Sequence, residues 1–304
     1  MIRPSRLVPF LVLVLLPGLA ACASGRGGAG SSGKPLVVAA ENVWGSIAEQ
    51  LGGGHVEVTS IVSNPNADPH DYEPTIADAR AMADARFVIV NGVGYDPWAE
   101  KLLAANPVPG RAVLNVGVLA RVPDGGNPHL WYSPAVVDHV VDAITTRYQT
   151  LLPGDAPAFA ELRDRFVTDG LGPYHALISA IRSSYAGVPV GASESIFVSL
   201  AEALGLHLVT PSSFLTAISE GAEPTASDKV TIDRQIRDRR IEVYVYNRQN
   251  ATPDVQRQID EARQAGIPVT TITETLVPAG GTFQAWQVAQ LRALRTALAR
   301  AASR

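Results

Sequence analysis

Short apolar segments alternate with segments of helical periodicity along most of this sequence. Strand-like residues 36–40 and 112–116 are each followed by residues with helical spacing, at 43–51 and 134–152. Such an alternation predicts an α/β fold in which helices flank a mostly parallel sheet. The same alternation resumes at residue 188 after a long stretch without strand signals. The sequence therefore predicts two similar α/β lobes.

The stretch without strand signals, residues 156–185, has apolar side chains at mostly helical intervals. It predicts one long helix that joins the lobes, with a kink or break near Gly170 and Pro173. No sequence repeat relates the two lobes. The predicted domains are a first lobe at 35–153, a linker helix at 154–186 and a second lobe at 187–304.

The first 21 residues are typical of a secretory signal peptide. Arg3 and Arg6 precede a short apolar run at 7–16, and small residues precede Cys22. The run is too short to span a bilayer as a helix, which takes roughly 20 apolar residues. Leu-Ala-Ala-Cys at 19–22 resembles a bacterial lipobox, which predicts lipid attachment at Cys22. This is the only cysteine, so no disulfide can form within the chain.

Residues 22–34 are mostly Gly, Ser and Ala, a composition typical of a flexible tether. We therefore expect an extracytoplasmic, monomeric lipoprotein held at the outer face of the cell membrane. No second long apolar segment follows the signal peptide. The net charge of −4 and the scattered basic residues argue against nucleic-acid binding, which depends on a basic surface.

Four potential metal ligands follow predicted strands. His70 and His129 each come after a proline in the first lobe, and Glu194 and Glu274 follow strands of the second lobe. Ligands bind at the carboxyl ends of strands in open α/β sheets, so the four side chains converge if those edges face each other. Two imidazoles and two carboxylates suit zinc, manganese or ferrous iron. The other histidines lack this context and are interpreted as structural or surface residues: His55, His139, His175 and His207.

The order of these motifs resembles that of the periplasmic zinc- and manganese-binding proteins of ABC transporters, the family of ZnuA, TroA and the pneumococcal surface adhesin. The resemblance covers nearly all of the chain after the tether. It implies two α/β lobes around a metal cleft, a rigid joining helix, and delivery of the metal to a permease and its ATPase. It implies no enzyme activity. The matching motifs are Asp-Pro-His at 68–70, Asn-Pro-His-Leu-Trp at 127–131, Ser-Glu-Ser-Ile-Phe at 193–197 and Thr-Glu-Thr-Leu at 273–276.

By position, the resemblance implies that His70 and His129 are the ligands of the first lobe. Glu194 matches a third ligand that is His in many zinc-binding members and Glu in several manganese-binding ones. Glu274 stands where the family usually has Asp. Residues 91–124 contain no histidine, so the histidine-rich loop of many zinc members is absent. We place Zn²⁺ slightly ahead of Mn²⁺. Three residues are expected to orient the ligands: Asp68, Asn91 and Trp131.

Two other functions remain open at this point. One is a metal-dependent adhesin or scaffold lipoprotein with a structural metal, which should unfold when the metal is removed, whereas a transport protein should release the metal and stay folded. The other is a zinc hydrolase. The hydrolase is disfavoured because the sequence has no His-Glu-x-x-His motif, and four protein ligands leave no open position for water.

Overall fold

The computed structural model describes residues 33–65 and 72–304. The predicted signal peptide, Cys22 and most of the tether lie outside the described residues, as do Asp68 and His70. Lys34–Arg304 form a single unit, so the lobe boundaries stated above stay predictions. Within the described part of the chain, no helix is both long and apolar enough to cross a membrane.

The described chain contains two four-stranded sheets, and every strand pair in them is parallel. This confirms the predicted fold class. In the first sheet the spatial order is β2-β1-β3-β4, and in the second it is β6-β5-β7-β8. The strands are β1 (Leu36–Glu41), β2 (Glu57–Val62), β3 (Phe87–Val90), β4 (Ala112–Asn115), β5 (Pro189–Ala192), β6 (His207–Leu208), β7 (Val243–Asn247) and β8 (Val269–Ile272).

Helices connect successive strands and lie against the sheets. The helices are α1 (Asn42–Gly52), α2 (Ile76–Asp84), α3 (Pro97–Ala105), α4 (Val116–Ala120), α5 (Pro134–Leu151), α6 (Ala156–Arg165), α7 (Gly172–Tyr185), α8 (Val198–Ala203), α9 (Ser212–Ser219), α10 (Ala226–Arg237), α11 (Pro253–Gln264) and α12 (Phe283–Ala302).

The central strands are buried on both faces, which explains their continuous apolar sequences. Alternate residues of a strand point to opposite faces of its sheet. In β1, Val37 and Ala39 therefore join one apolar cluster, whereas Val38 and Ala40 join a second cluster on the other face. The parallel arrangement places the carboxyl ends of the strands along one edge of each sheet. The segments that carry the predicted ligands start at these edges.

The predicted joining helix is helical from residue 156 to 185, with the predicted interruption. α6 ends at Arg165, a π-helical turn follows at Phe166–Gly170, and α7 then begins. The turn is marked by a hydrogen bond from the Leu171 amide to the Phe166 carbonyl at 2.8 Å. Pro173 has no amide hydrogen and cannot continue the α-helical pattern, so the interruption falls just before it.

Three helices were not predicted. α3, α4 and α9 are each nine residues or shorter, too short for a clear periodic pattern. After β5, Glu194 keeps an extended backbone, and a 3₁₀ turn at Ser195–Phe197 follows it before α8 begins. Glu194 therefore lies in the loop at the end of β5 rather than on a helix.

One apolar cluster continues through both lobes. It includes Trp44 and Tyr132 from the first lobe and Phe197 and Phe283 from the second. Hydrogen bonds cross at the same place, from the Tyr132 hydroxyl to the Thr273 carbonyl at 2.8 Å and from the Phe283 amide to Ser46 Oγ at 3.0 Å. The two sheets are therefore held against each other by a shared core.

Candidate metal site

Three of the four predicted ligands meet between the sheets. His129, Glu194 and Glu274 each offer a ligand atom, and these atoms all lie within 4.8 Å of one another. Their exposed fractions are 1%, 1% and 4%. His70, the fourth predicted ligand, lies outside the described residues. The described part of the site thus combines one imidazole and two carboxylates in a place shielded from water.

The ring of His129 is oriented by its neighbour Asn127. Asn127 Oδ1 lies 2.8 Å from His129 Nδ1 and also accepts the His129 amide at 3.1 Å. Because Oδ1 is an acceptor, the hydrogen of a neutral ring belongs on Nδ1. Nε2 then carries the lone pair of the ring and lies 3.5 Å from Glu274 Oε2. Two atoms bound to one tetrahedral ion at about 2.0–2.1 Å lie about 3.4 Å apart, so this pair can share an ion.

The two predicted orienting residues in the described part of the chain both contact the surroundings of His129. Asn91 Nδ2 donates to the carbonyl of Pro128 at 2.8 Å, and Asn91 Oδ1 accepts from Trp44 Nε1 at 3.1 Å. Trp131 packs edge-on against the His129 ring, with centroids 5.5 Å apart. These contacts hold both the backbone before His129 and its ring plane.

Glu274 follows β8 and is held by groups from both lobes. Its Oε2 accepts a 2.6 Å hydrogen bond from the hydroxyl of Tyr95, which belongs to the first lobe. Its Oε1 accepts a 2.9 Å bond from Asn247 Nδ2, at the end of β7. Its backbone amide donates to Gln249 Oε1 at 2.5 Å. The longer arm of Glu, compared with Asp, is thus held at two carboxylate oxygens and at the backbone.

Glu194 is held by side-chain amides at the end of β7 and just after it. Asn247 Nδ2 donates to Glu194 Oε1 at 2.5 Å, and Asn250 Nδ2 donates to Glu194 Oε2 at 2.9 Å. Asn247 therefore contacts both carboxylates of the site. Two ionised carboxylates buried this close together favour a dication, because a buried negative charge is costly unless a positive charge compensates it.

A second pair of buried carboxyl groups supports the loop after β3. Asp96 accepts the backbone amides of Asn91 and Gly92 at 2.7 and 2.8 Å, which fixes the turn that carries Asn91. Burial raises the pKa of Asp96 to about 6. Glu41, the last residue of β1, is also buried, and its pKa is raised well above the ordinary value by burial and then by the charge of Asp96. This pair supports the site without reaching it.

A cavity of about 280 Å³ adjoins the site on the Nδ1 side of His129. Residues of both lobes line it, including Gly94 and Asn127 from the first and Ser195 and Glu220 from the second. Ser195 Oγ lies 3.3 Å from His129 Nδ1. The cavity therefore approaches the ligands through the polar groups that orient His129.

The remaining histidines lie away from the three clustered ligands. His55 contacts Asp155 at 3.3 Å, and His175 contacts Asp138 at 3.3 Å. The other two, His139 and His207, are exposed.

Sequence reasoning missed three neutral side chains that donate hydrogen bonds to the carboxylates of the site. Asn247 ends a strand, as the predicted ligands do, so its position was a usable signal. It was overlooked because an amide side chain rarely binds a transition metal directly. Tyr95 and Asn250 lie in loops without a comparable signal.

A known protein family matches nearly the whole described chain. A family model described as the periplasmic component A of the zinc-uptake complex, ZnuA, matches residues 37–297. The chain belongs to the ZnuA family. The match runs through both sheets and all three clustered ligands, so it includes the whole described site.

Named relatives match over shorter regions. The manganese-binding lipoprotein MntA of Halalkalibacterium halodurans is 27% identical over 165 residues, which is 53% of this chain and 54% of the relative. The manganese ABC transporter substrate-binding lipoprotein PsaA of Streptococcus pneumoniae is 32% identical over 134 residues, 40% of this chain and 43% of the relative. The chain thus spans about half the length of these relatives.

Solved structures of the same architecture cover most of the chain. The periplasmic zinc-binding protein TroA of Treponema pallidum matches with a TM-score of 0.72 at 19% identity, over 88% of this chain and 99% of the other. A manganese-bound periplasmic metal-binding protein from Candidatus Liberibacter asiaticus matches with a TM-score of 0.72 at 19% identity, over 87% of this chain and 100% of the other. At this identity the likeness shows the fold.

Proposed function

We propose that this protein captures a divalent transition metal outside the cytoplasm and delivers it to the permease of an ABC transporter. The observation that carries the proposal is the buried group of His129, Glu194 and Glu274, whose ligand atoms lie within 4.8 Å of one another. Membership of the ZnuA family supports the same function. In this proposal His70 supplies the fourth ligand, and the metal is cargo rather than a cofactor.

We propose Zn²⁺ as the cargo, with Mn²⁺ as the close alternative. Two imidazoles and two carboxylates give four ligands, the usual number for zinc in proteins. Zinc also binds nitrogen and oxygen sites more tightly than manganese in the general affinity order. Manganese is supported by the names of MntA and PsaA, and a carboxylate-rich site suits a harder ion.

The decisive experiment is metal analysis of the chain from residue 23 onward, followed by competition between Zn²⁺ and Mn²⁺ against a chromophoric chelator. We expect one metal per chain. His129→Ala combined with His70→Ala should reduce affinity by more than about 100-fold, since each imidazole is a direct ligand. His207→Ala removes an exposed histidine away from the site and serves as the matched control.

Two results would count against metal capture. One is wild-type protein that binds neither metal after careful loading. The other is a double histidine variant that binds as tightly as the control.

We also propose that Cys22 carries the lipid anchor that keeps the protein near its permease. Cys22→Ser should abolish incorporation of a labelled fatty acid in cells and release the protein from the membrane fraction. Metal affinity of the released protein should be unchanged, because the tether is separate from the site in the sequence. Continued labelling of the serine variant would contradict the anchor.

A further inference from the structure

We propose that Asn247 is a positioning residue that sets the metal preference of this site, because its amide keeps one oxygen of each carboxylate away from the ion. The inference rests on the proposed function, in which a metal binds between His129, Glu194 and Glu274. In this inference the neutral side chain of Asn247 determines whether the bound metal has few or many ligand atoms.

The first observation is that a single nitrogen serves both carboxylates. Asn247 Nδ2 donates to Glu194 Oε1 at 2.5 Å and to Glu274 Oε1 at 2.9 Å. A primary amide nitrogen carries two hydrogens, so these two bonds use its full donating capacity. Asn247 is fully buried, with 0% of its surface exposed. The link between the two carboxylates is therefore sheltered from competing water.

The second observation is that the side-chain amide of Asn247 cannot easily flip. Asn247 Oδ1 accepts the backbone amide of Gln249 at 3.0 Å, and the Asn247 backbone amide donates to Ser193 Oγ at 3.1 Å. A flipped amide would place Oδ1 against two carboxylate oxygens, where no hydrogen is available. The donor face of Asn247 is thus locked toward the site.

The third observation concerns which oxygen faces the imidazole. Glu274 Oε2 lies 3.5 Å from His129 Nε2, whereas Asn247 binds the other oxygen, Oε1. With Oε1 directed at Asn247, the oxygen placed to bind an ion shared with His129 is Oε2, which also accepts the Tyr95 hydroxyl at 2.6 Å. Binding through both oxygens would weaken or break the bond from Asn247, and hydrogen bonds to charged groups are among the stronger ones in proteins.

The consequence is a preference for a low coordination number. Zn²⁺ is satisfied by four ligands in a tetrahedral arrangement. Mn²⁺ favours six oxygen-rich positions, which here would draw on second carboxylate oxygens. By opposing the use of those oxygens, Asn247 favours Zn²⁺ over Mn²⁺.

The test compares wild-type protein with Asn247→Ala and Asn247→Leu. Leu has a similar volume and no hydrogen-bonding group, so it fills the space while removing both donated bonds. We expect the ratio of Zn²⁺ to Mn²⁺ affinity to fall by about tenfold in both variants, the scale of one hydrogen bond to a charged group. Co²⁺ loaded in place of zinc should show the intense visible absorption of four-coordination in the wild type and weaker absorption in the variants.

Asn106→Ala is the matched control, because the Asn106 side chain donates to the Leu102 carbonyl of its own helix at 3.0 Å and makes no hydrogen bond to a clustered ligand. Its affinity ratio and Co²⁺ spectrum should equal those of the wild type. If the Asn247 variants change both affinities by the same factor and leave the Co²⁺ spectrum unaltered, the inference fails although metal capture stands. Six-coordinate Co²⁺ in the wild type would also overturn it. Wild-type protein that binds neither metal would instead refute the proposed function.

Discussion

At the scale of single residues, the carboxylate at position 274 is the least expected feature of the site. The resemblance implies Asp there, and Glu adds one methylene. The structure accommodates the longer arm through Tyr95 from one lobe and Asn247 from the other, each bound to a different oxygen. Tyr95 and Asn247 thus lie where the longer side chain of Glu274 can reach them.

We therefore expect Glu274→Asp to weaken metal binding rather than to restore a better site. The shorter arm withdraws the carboxylate by about one C–C bond, roughly 1.5 Å, and it loses the bonds from Tyr95 and Asn247. Affinity should fall by about tenfold or more in chelator competition. Glu242→Asp, at a carboxylate paired with Arg304, is the control and should have no effect. Equal or tighter binding by the Glu274 variant would show that the longer arm is not matched to this site.

At the scale of secondary-structure elements, the polar residues of the site lie at or just after the ends of strands. β5, β7 and β8 lead into Glu194, Asn247 and Glu274, and β1 ends at Glu41. The carboxyl pair of Glu41 and Asp96 holds the loop after β3, where Asp96 accepts two backbone amides. Burial favours the protonated forms of both groups, which makes this loop sensitive to pH.

We expect Glu41→Gln to stabilise the metal-free protein at neutral pH. The folded pKa of Asp96 is raised from its ordinary value of 3.8 to about 6, so the folded protein keeps a proton that the unfolded chain has released. Stability from such a group is full below about pH 4 and falls as pH rises through 3.8 to about 6. The raised pKa of Glu41 acts in the same direction. The variant removes one of the two charges.

Thermal unfolding between pH 4 and pH 8 with a chelator present measures this effect. The gain in melting temperature of Glu41→Gln over wild type should be larger at pH 7 than at pH 4. Glu57→Gln, an exposed carboxyl of β2, should show no such trend. A gain that is independent of pH would mean that the pair does not retain its proton on folding.

At the scale of the whole molecule, the shared core limits independent motion of the lobes. Trp44 and Tyr132 from one side and Phe197 and Phe283 from the other belong to one apolar cluster. Hydrogen bonds from Gln284 to Gln50, at 2.6 Å, and from Tyr132 to Thr273 join the same surfaces. Separation of the lobes would expose this core to water.

We accordingly expect a single unfolding transition that metal shifts upward. Free metal at about 100 times its dissociation constant should add about 2.7 kcal/mol of stability. A chelator should return the protein to its metal-free melting temperature without unfolding it at 25 °C, because the core does not depend on the metal. Scanning calorimetry measures both effects, and His129→Ala should show a much smaller shift at the same metal concentration. Unfolding upon chelation would favour a structural metal instead.

The sequence by itself determined the fold class, the interruption in the joining helix and the four candidate ligands. These follow from local signals: apolar periodicity, a proline that lacks an amide hydrogen, and metal-binding residue types placed after strands. Short helices such as α4 escaped prediction because five residues carry too little periodicity.

The tertiary structure alone decided which groups hold the ligands. Tyr95 reaches Glu274 across 179 positions of sequence, and Asn247 reaches Glu194 across 53. Such contacts depend on how two sheets pack against a shared core, and no local pattern encodes that packing. The neutral donors therefore became visible only once the strand ends were brought together.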